Sequence, residues 1–344
     1  MRWAVLGGGH WGTALAVYLL RQRHTVQLWG RRAERLPCQP GRTDLFPVFP
    51  ECARPQGLHC TVDLAAAVQG SEGIVLAVPS HALRGLLTHL LPCLPPTALL
   101  VLASKGLEVP SALRLDQVLR EILPEAPLVV LSGPSFAHDL MLGKPLAMTA
   151  ASTDPTYAQR VAEAFGSAQM RVYTSDDVAG VCLGGAIKNV LAIAAGISDG
   201  LGNGDSARAA LITRGMAELH RLGTALGGRT ETFMGLAGAG DLILTSCSDL
   251  SRNRRVGLGL GGGLSLEAVL RGIGEEAEGV RTAQALFQFA QSLGVDMPIT
   301  EQVYRVLFAG AAPRAASDEL MRRALRSELH VSDDGTPGSA ARTE

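Results

Sequence analysis

Through the first 174 residues, short apolar runs alternate with stretches of helical periodicity. Trp3–Leu6, Thr25–Trp29, Ile74–Val78, Ala98–Ala103 and Leu128–Leu131 are brief and carry no charge. Runs of that kind read as strands buried on both faces. Gly12–Arg21 reads as a helix, and a short further strand is expected near Met170–Tyr173. Strands alternating with helices predict a mostly parallel, doubly wound sheet covered on both faces. From about residue 175 the strand pattern stops. Asp176–Gly200, Ser206–Leu226, Arg252–Leu260, Leu266–Arg271, Val280–Leu293, Ile299–Phe308 and Ser317–Leu325 read as helices. The pattern thus predicts an α/β domain over 1–174, an all-α domain over 175–329 and a disordered polar tail over 330–344. Residues 33–60 are proline-rich and irregular, and no element is assigned there.

Composition narrows the function. The chain has 344 residues, a net charge of -1 and a hydrophobic share of 47%. Nothing in that balance suggests nucleic acid or an anionic membrane as a bulk partner. The six cysteines are scattered without a C-x-x-C. They predict neither a metal site nor a disulfide framework, and a reducing cytoplasm is the default. The N-terminal apolar run is interrupted at once by glycines, so no signal peptide is expected. No uninterrupted apolar stretch reaches the roughly 20 residues that span a bilayer, so stable membrane insertion is not expected.

Candidate chemistry begins at Gly7-x-Gly9-x-x-Gly12, between a strand and a helix. The first glycine makes the turn, the second admits a pyrophosphate to the backbone, and the third lets helix and strand pack closely. The helix start supplies N–H donors and a positive dipole for the phosphates. This context makes the first domain a Rossmann-type dinucleotide site. The second strand ends at Gly30-Arg31-Arg32, where an NAD-selective site would place an acid for the ribose hydroxyls. Arginine suits a 2′-phosphate and stacks on adenine. NADP(H) is therefore expected as the preferred cofactor, with NAD(H) possible and no metal.

Lys188 stands in the apolar run Ala179–Ser198, whose only other ionisable side chain is Cys182. Burying an ammonium is costly and lowers its pKa toward values useful for proton transfer. Of 31 basic residues only Lys105, Lys144 and Lys188 are lysine. Arginine cannot act as a general acid or base near neutrality, whereas lysine can. Lys105 follows a strand end, where a cation could hold substrate. Asp241 follows a glycine turn at the start of an apolar run and needs a cation or hydroxyl partner. Ser251 precedes Arg252, Asn253, Arg254 and Arg255, the order of a helix cap followed by a basic first turn. Arginines there oppose the helix dipole unless an anion, such as a phosphate, sits at that end. Lys144 has no role that its context supports.

Taken together, GGGHWGTALA, LWGRR, VPSHALR, ASKGLE, LSGPSFA, GGAIKNVLAIAAGISDGLGNGDSARAALITRGMAEL, GLAGAGDLILTSCSDLSRNRRVG and EAEGVRTA resemble the bacterial NAD(P)-dependent glycerol-3-phosphate dehydrogenases. They run from residue 5 to about 284, in order. The resemblance implies reversible reduction of dihydroxyacetone phosphate to sn-glycerol 3-phosphate, feeding glycerophospholipid synthesis, in a cytoplasmic homodimer. It implies that Lys188 is the catalytic proton carrier. It aligns Lys105, Gly133, Ser135, Asp241, Ser251, Arg252 and Asn253 with positions that hold substrate. It aligns His10, Trp11, Arg31, Ala137, Glu276 and Glu278 with cofactor contacts, Lys105 and Arg252 serving both. The chain departs from the family at GGGHWG, where His10 replaces a small residue, and at EEAEG, which replaces a more apolar VVEG. Two alternatives use the same residues differently: a β-hydroxy-acid or ketopantoate-type dehydrogenase of the same layout, and a non-catalytic NADPH-binding sensor.

Overall fold

The structure, a computed structural model, describes residues 1–36, 45–46, 48–53, 55–109, 111–274 and 277–324. Its strands are β1 (Arg2–Leu6), β2 (Thr25–Trp29), β3 (Leu45–Phe46), β4 (Phe49–Ala53), β5 (His59–Thr61), β6 (Gly73–Leu76), β7 (Leu99–Leu102), β8 (Leu128–Ser132), β9 (Leu146–Ala151) and β10 (Met170–Ser175). The main sheet runs β10-β9-β8-β7-β6-β1-β2-β5, and β3 pairs only with β4. All main-sheet neighbours are parallel except β8 with β9. The order reverses between β1 and β6, which places a crevice beyond their carboxyl ends.

Six helices accompany the sheet: α1 (His10–Arg21), α2 (Leu64–Val68), α3 (Leu83–Leu90), α4 (Leu115–Ile122), α5 (Ala137–Met141) and α6 (Pro155–Phe165). One face of the sheet packs on α1, α5 and α6 through Leu15, Leu19, Leu140 and Phe165. The other packs on α2, α3 and α4 through Val68, Leu87 and Leu119. Covering both faces explains why β6, β7 and β8 are buried at every position. β9 was not expected. Its sequence LAMTAA has one β-branched residue and little strand propensity, so its pairing with β8 and β10 decides its state.

After β10 the chain is helical: α7 (Val178–Gly200), α8 (Asp205–Ala225), α9 (Thr230–Met234), α10 (Asp241–Cys247), α11 (Arg252–Gly261), α12 (Leu266–Ile273), α13 (Glu278–Ser292), α14 (Pro298–Phe308) and α15 (Pro313–Met321). Asp177 starts α7, accepting from Gly180 N at 2.8 Å through Oδ1 and from Arg229 N at 2.9 Å through Oδ2. α7 is long and apolar enough to cross a membrane by length and composition, yet 89% of its apolar window is buried inside the protein. It is the central helix of its half, with α8, α10, α11 and α13 around it.

Glycines let neighbours touch the α7 backbone. A Cβ on Gly196 would stand 2.0 Å from Arg254 O, one on Gly257 2.0 Å from Ile193 O, and one on Gly184 2.3 Å from Ala237 O. The segment before Asp241 differs from expectation. Leu236–Gly240 is a π-helical turn that runs straight into α10, so Asp241 is a helical residue rather than the first after a turn. Cys60 is disulfide-bonded, contrary to the fully reduced set expected. The predicted tail and part of 33–60 lie outside the described residues.

Candidate active site

The nucleotide crevice is set by three glycines. Gly7 has φ +136°, and a Cβ there would lie 2.4 Å from Ala77 O, just after β6. A Cβ on Gly12 would lie 1.9 Å from Gly7 O, so α1 sits directly on the turn. Gly9 differs: a Cβ on it would meet nothing within 4 Å. Gly9 caps α1 without a side-chain hydrogen bond. The helix start is thus open at the one glycine where a pyrophosphate would approach, and the cradle fits a dinucleotide. His10 begins α1 with its ring edge-on to Phe49, centroids 5.2 Å apart. Trp11 Nε1 donates to Ala103 O at 3.1 Å, tying α1 to the end of β7. Arg31 and Arg32 are exposed beyond β2. Ala137 begins α5.

Lys188 is buried, and so is its partner Asp241, which has no exposed surface. Lys188 Nζ donates to Asp241 Oδ1 at 2.5 Å and to Thr245 Oγ1 at 2.9 Å. Lys105 Nζ donates to Asp241 Oδ2 at 2.7 Å and to Gly133 O at 2.9 Å. One carboxylate therefore bridges the two lysines, one from each half of the chain. Each ammonium spends two of its three N–H groups on these partners and keeps one for a ligand. Burial pushes Lys188 down to about 8; the nearby Lys105 charge acts in the same direction, and Asp241 opposes both. A lysine in that range can give or take a proton near neutrality.

The glycines around Lys188 allow this approach. A Cβ on Gly185 would stand 3.0 Å from Ser132 Oγ and 3.4 Å from Lys105 Cγ. Gly133 has φ +141° and turns the chain at the end of β8, and Ser135 Oγ donates to its carbonyl at 3.0 Å. Lys105, Gly133, Ser135, Lys188 and Asp241 thus come together beyond the carboxyl ends of β7 and β8. Thr245 was missed from sequence. It lies one helical turn after Asp241, and its hydroxyl donates to Asp241 O at 2.6 Å while accepting from Lys188. Only the α-helical state of α10 reveals that the two share a face.

The α11 start divides its residues. Ser251 Oγ accepts from Arg254 N at 3.2 Å, the predicted cap. Arg252 and Arg255 are exposed. Arg254 is buried instead, paired with Asp199 at 2.6 Å and Asp249 at 2.5 Å. It serves the helical core, so the expectation that all three arginines face an anion is corrected. Asn253 is also buried: its Nδ2 donates to Asn189 Oδ1 at 2.9 Å, and its Oδ1 accepts from Gly279 N at 3.0 Å. Glu278 Oε1 accepts from Ser80 N at 3.2 Å, reaching the loop after β6. Glu276 lies outside the described residues. Lys144 pairs with Asp139 on the surface, away from this cluster. No group of three or more potential metal ligands occurs among the described residues.

Two family descriptions match the chain: NAD-dependent glycerol-3-phosphate dehydrogenase N-terminus over residues 2–158, and the C-terminus of the same enzyme over 177–318. The chain is 97% identical over its full length, and the full length of the relative, to a glycerol-3-phosphate dehydrogenase [NAD(P)+] of Acidithiobacillus ferrooxidans. It is 53% identical to one from Thioalkalivibrio sulfidiphilus, covering 95% of this chain and 98% of that one. Among solved structures, glycerol-3-phosphate dehydrogenase from Coxiella burnetii matches with a TM-score of 0.90 at 38% identity, covering 94% and 99% of the two chains. A nucleotide cradle, a lysine pair bridged by one aspartate and a capped basic helix start thus occur in a chain that belongs to the NAD-dependent glycerol-3-phosphate dehydrogenase family.

Proposed function

We propose that this chain reversibly reduces dihydroxyacetone phosphate to sn-glycerol 3-phosphate, with NADP(H) preferred over NAD(H). The observation that carries the reading is the Asp241 bridge between Lys188 and Lys105. It sets a proton carrier and a fixed cation side by side at the mouth of the nucleotide crevice. The nicotinamide, when bound, supplies the hydride to C2 of the substrate.

Lys188 gives its proton to the C2 oxygen in the reducing direction and takes it back in the oxidising direction. Asp241 and Thr245 fix the Nζ position, so the remaining N–H points at the reacting oxygen. Lys105, with Gly133 and Ser135, holds the polar end of the substrate and favours negative charge on that oxygen. The phosphate sits at the start of α11, where the helix dipole, Ser251, Arg252 and the Asn253 backbone favour a dianion. Gly7, Gly9, His10, Trp11 and Gly12 form the pyrophosphate cradle, Arg31 and Arg32 face the 2′-phosphate, and Ala137 and Glu278 complete the cofactor contacts. In this reading residues 1–174 form the dinucleotide-binding domain and 175–329 the all-helical catalytic domain, each lending residues to both ligands, and the enzyme is a cytoplasmic homodimer supplying glycerophospholipid synthesis.

The test is NADPH oxidation with dihydroxyacetone phosphate. Positioned proton transfer contributes about 100- to 10,000-fold, so Lys188→Ala should lose kcat on that scale while binding NADPH normally. Lys188→Arg should be almost as poor, because guanidinium keeps the charge but does not release the proton. Near-native kcat in Lys188→Ala would remove the proposed role.

A further inference from the structure

We infer that Leu36 is a positioning residue for cofactor choice, acting through Arg31 and Arg32 rather than on the cofactor. β2 ends at Trp29, and the four residues from Arg31 to Glu34 are exposed. The chain then closes a short 3-10 turn over Ala33–Arg35, with Leu36 N donating to Ala33 O at 3.0 Å. Leu36 is 4% exposed and joins the apolar layer that holds Val5, Leu15 and Phe49. An exposed basic segment is therefore tied down at its far end by an apolar side chain.

Leu36 packs on two glycines. Gly8, inside the glycine turn, and Gly30, the first residue after β2, both lack the positive φ that would call for glycine. A Cβ on either would stand 2.8 Å from Leu36 Cδ2. The Cβ on Gly30 would also lie 3.5 Å from Gly8 Cα, so the two backbones abut under the same methyl group. Leu36 thus accounts for both glycines. It also takes the space of a side chain just past β2, where an NAD-selective site carries its acid. The glycine turn has other supports: Gly7 N donates to Trp29 O at 2.9 Å, and Thr13 N to Gly9 O at 2.9 Å. Shortening Leu36 should therefore loosen the arginine segment and leave the pyrophosphate cradle in place. This inference rests on the reading of Arg31 and Arg32 as contacts of the 2′-phosphate, and the experiment separates the two.

The experiment measures kcat and KM with NADPH and with NADH for Leu36→Ala, Leu36→Met and Arg31→Ala/Arg32→Ala, and for Leu36→Ala added to the double variant. Thermal melts identify folded variants. Leu36→Val, which stays apolar but has no δ carbon, replaces Leu36→Ala if that variant does not fold. Leu36→Ala should lower the NADPH/NADH ratio of kcat/KM about fivefold, through KM for NADPH, because a small displacement weakens a directional phosphate contact. The NADH value should stay within about twofold. Leu36→Met, which restores the reach of the side chain, should recover the ratio. Removing both arginines should lower the ratio at least about tenfold. Leu36→Ala should then change it no further, since the two act as one unit. Equal losses with the two cofactors would overturn the inference, leaving Leu36 a core residue only. A further drop in the absence of the arginines, or a ratio that Leu36→Met does not recover, would overturn it as well. If removing the arginines lowers the ratio and Leu36→Ala does not, the inference fails and the 2′-phosphate reading stands. If removing the arginines leaves the ratio unchanged, both fail.

Discussion

Replacing Asp241 with asparagine tests whether one carboxylate sets the charge of Lys188. The substitution keeps the shape and removes the charge that lies 2.5 Å from Lys188 Nζ and 2.7 Å from Lys105 Nζ. At an effective dielectric constant of about 20, unit charges about 4 Å apart interact by about 4 kcal/mol, equivalent to about 3 pKa units. The asparagine oxygen still accepts a hydrogen bond, so the Lys188 pKa should fall by somewhat less, about 2.5. Lys188, now at about 8, would then titrate near about 5.5, within the range of buried lysines. At about pH 7.5 its protonated fraction would drop from about three quarters to about one hundredth, and reduction of dihydroxyacetone phosphate would slow close to a hundredfold. The assay is kcat/KM for NADPH oxidation across pH. Reduction needs protonated Lys188, so the wild-type rate should fall as pH rises through about 8. Oxidation of glycerol 3-phosphate needs the neutral amine and should rise through the same region. In Asp241→Asn both limbs should move to acid by the same amount, and reduction should recover on acidification. A limb that stays near its wild-type position would refute the electrostatic argument. A limb that moves without recovery would assign Asp241 a further role in holding substrate.

Gly9→Ala should fold with an unchanged melting temperature, because a Cβ there meets nothing within 4 Å. Its NADPH dissociation constant should nevertheless rise at least about tenfold, since the methyl occupies the pyrophosphate approach; unchanged affinity in titration calorimetry would contradict the cradle. Arg31→Ala should lower the NADPH/NADH ratio of kcat/KM by about tenfold, and an unchanged ratio would remove Arg31 from cofactor discrimination. Glu218 is buried and accepts from Ile299 N, Thr300 N and Thr300 Oγ1 at the start of α14. Burial pushes its carboxyl up to about 7, against the pull of those donors. The folded state then holds an extra proton between the ordinary value of 4.5, which the unfolded chain keeps, and about 7, so stability falls as pH rises through that window. Urea midpoints should show this slope in the wild type and lose it in Glu218→Gln; an equal slope in both would place the titrating group elsewhere.

Much of the site was legible because its chemistry conflicts with its surroundings. Lys188 stood out as a charge in an apolar helix, and the glycine turn as backbone without side chains. Both signals are local. Asp241 was legible as a residue in need of a cation, with a substrate-site lysine as one candidate, but not that a single carboxylate bridges both Lys105 and Lys188, which meet it only after distant segments pack. Thr245 escaped because Asp241 reads as the residue after a glycine turn, whereas it opens the α-helix Asp241–Cys247 and so shares a face with Thr245 one turn on. Arg254 was misread for a related reason: a first-turn arginine looks like an anion ligand until Asp199, at the far end of α7, is seen to pair with it. In the sheet, β9 was invisible because its small residues are held by two neighbouring strands rather than by their own propensity. What the chain does not reveal residue by residue is long-range pairing.

The contact between α7 and α11 bears on how such an enzyme could acquire a new substrate. Backbone touches backbone at Gly196 and Gly257, with no side chain between to trim or enlarge. Lys188 and the start of α11 therefore keep a constant separation, and under the proposed reading the distance from proton carrier to phosphate is inherited rather than adjustable. Variation in substrate size must come from side chains that rim the site and from the short connection between β10 and α7 at residues 176–177. Laboratory evolution toward a longer phosphorylated ketone should accordingly accumulate changes at those two places and leave the glycines untouched.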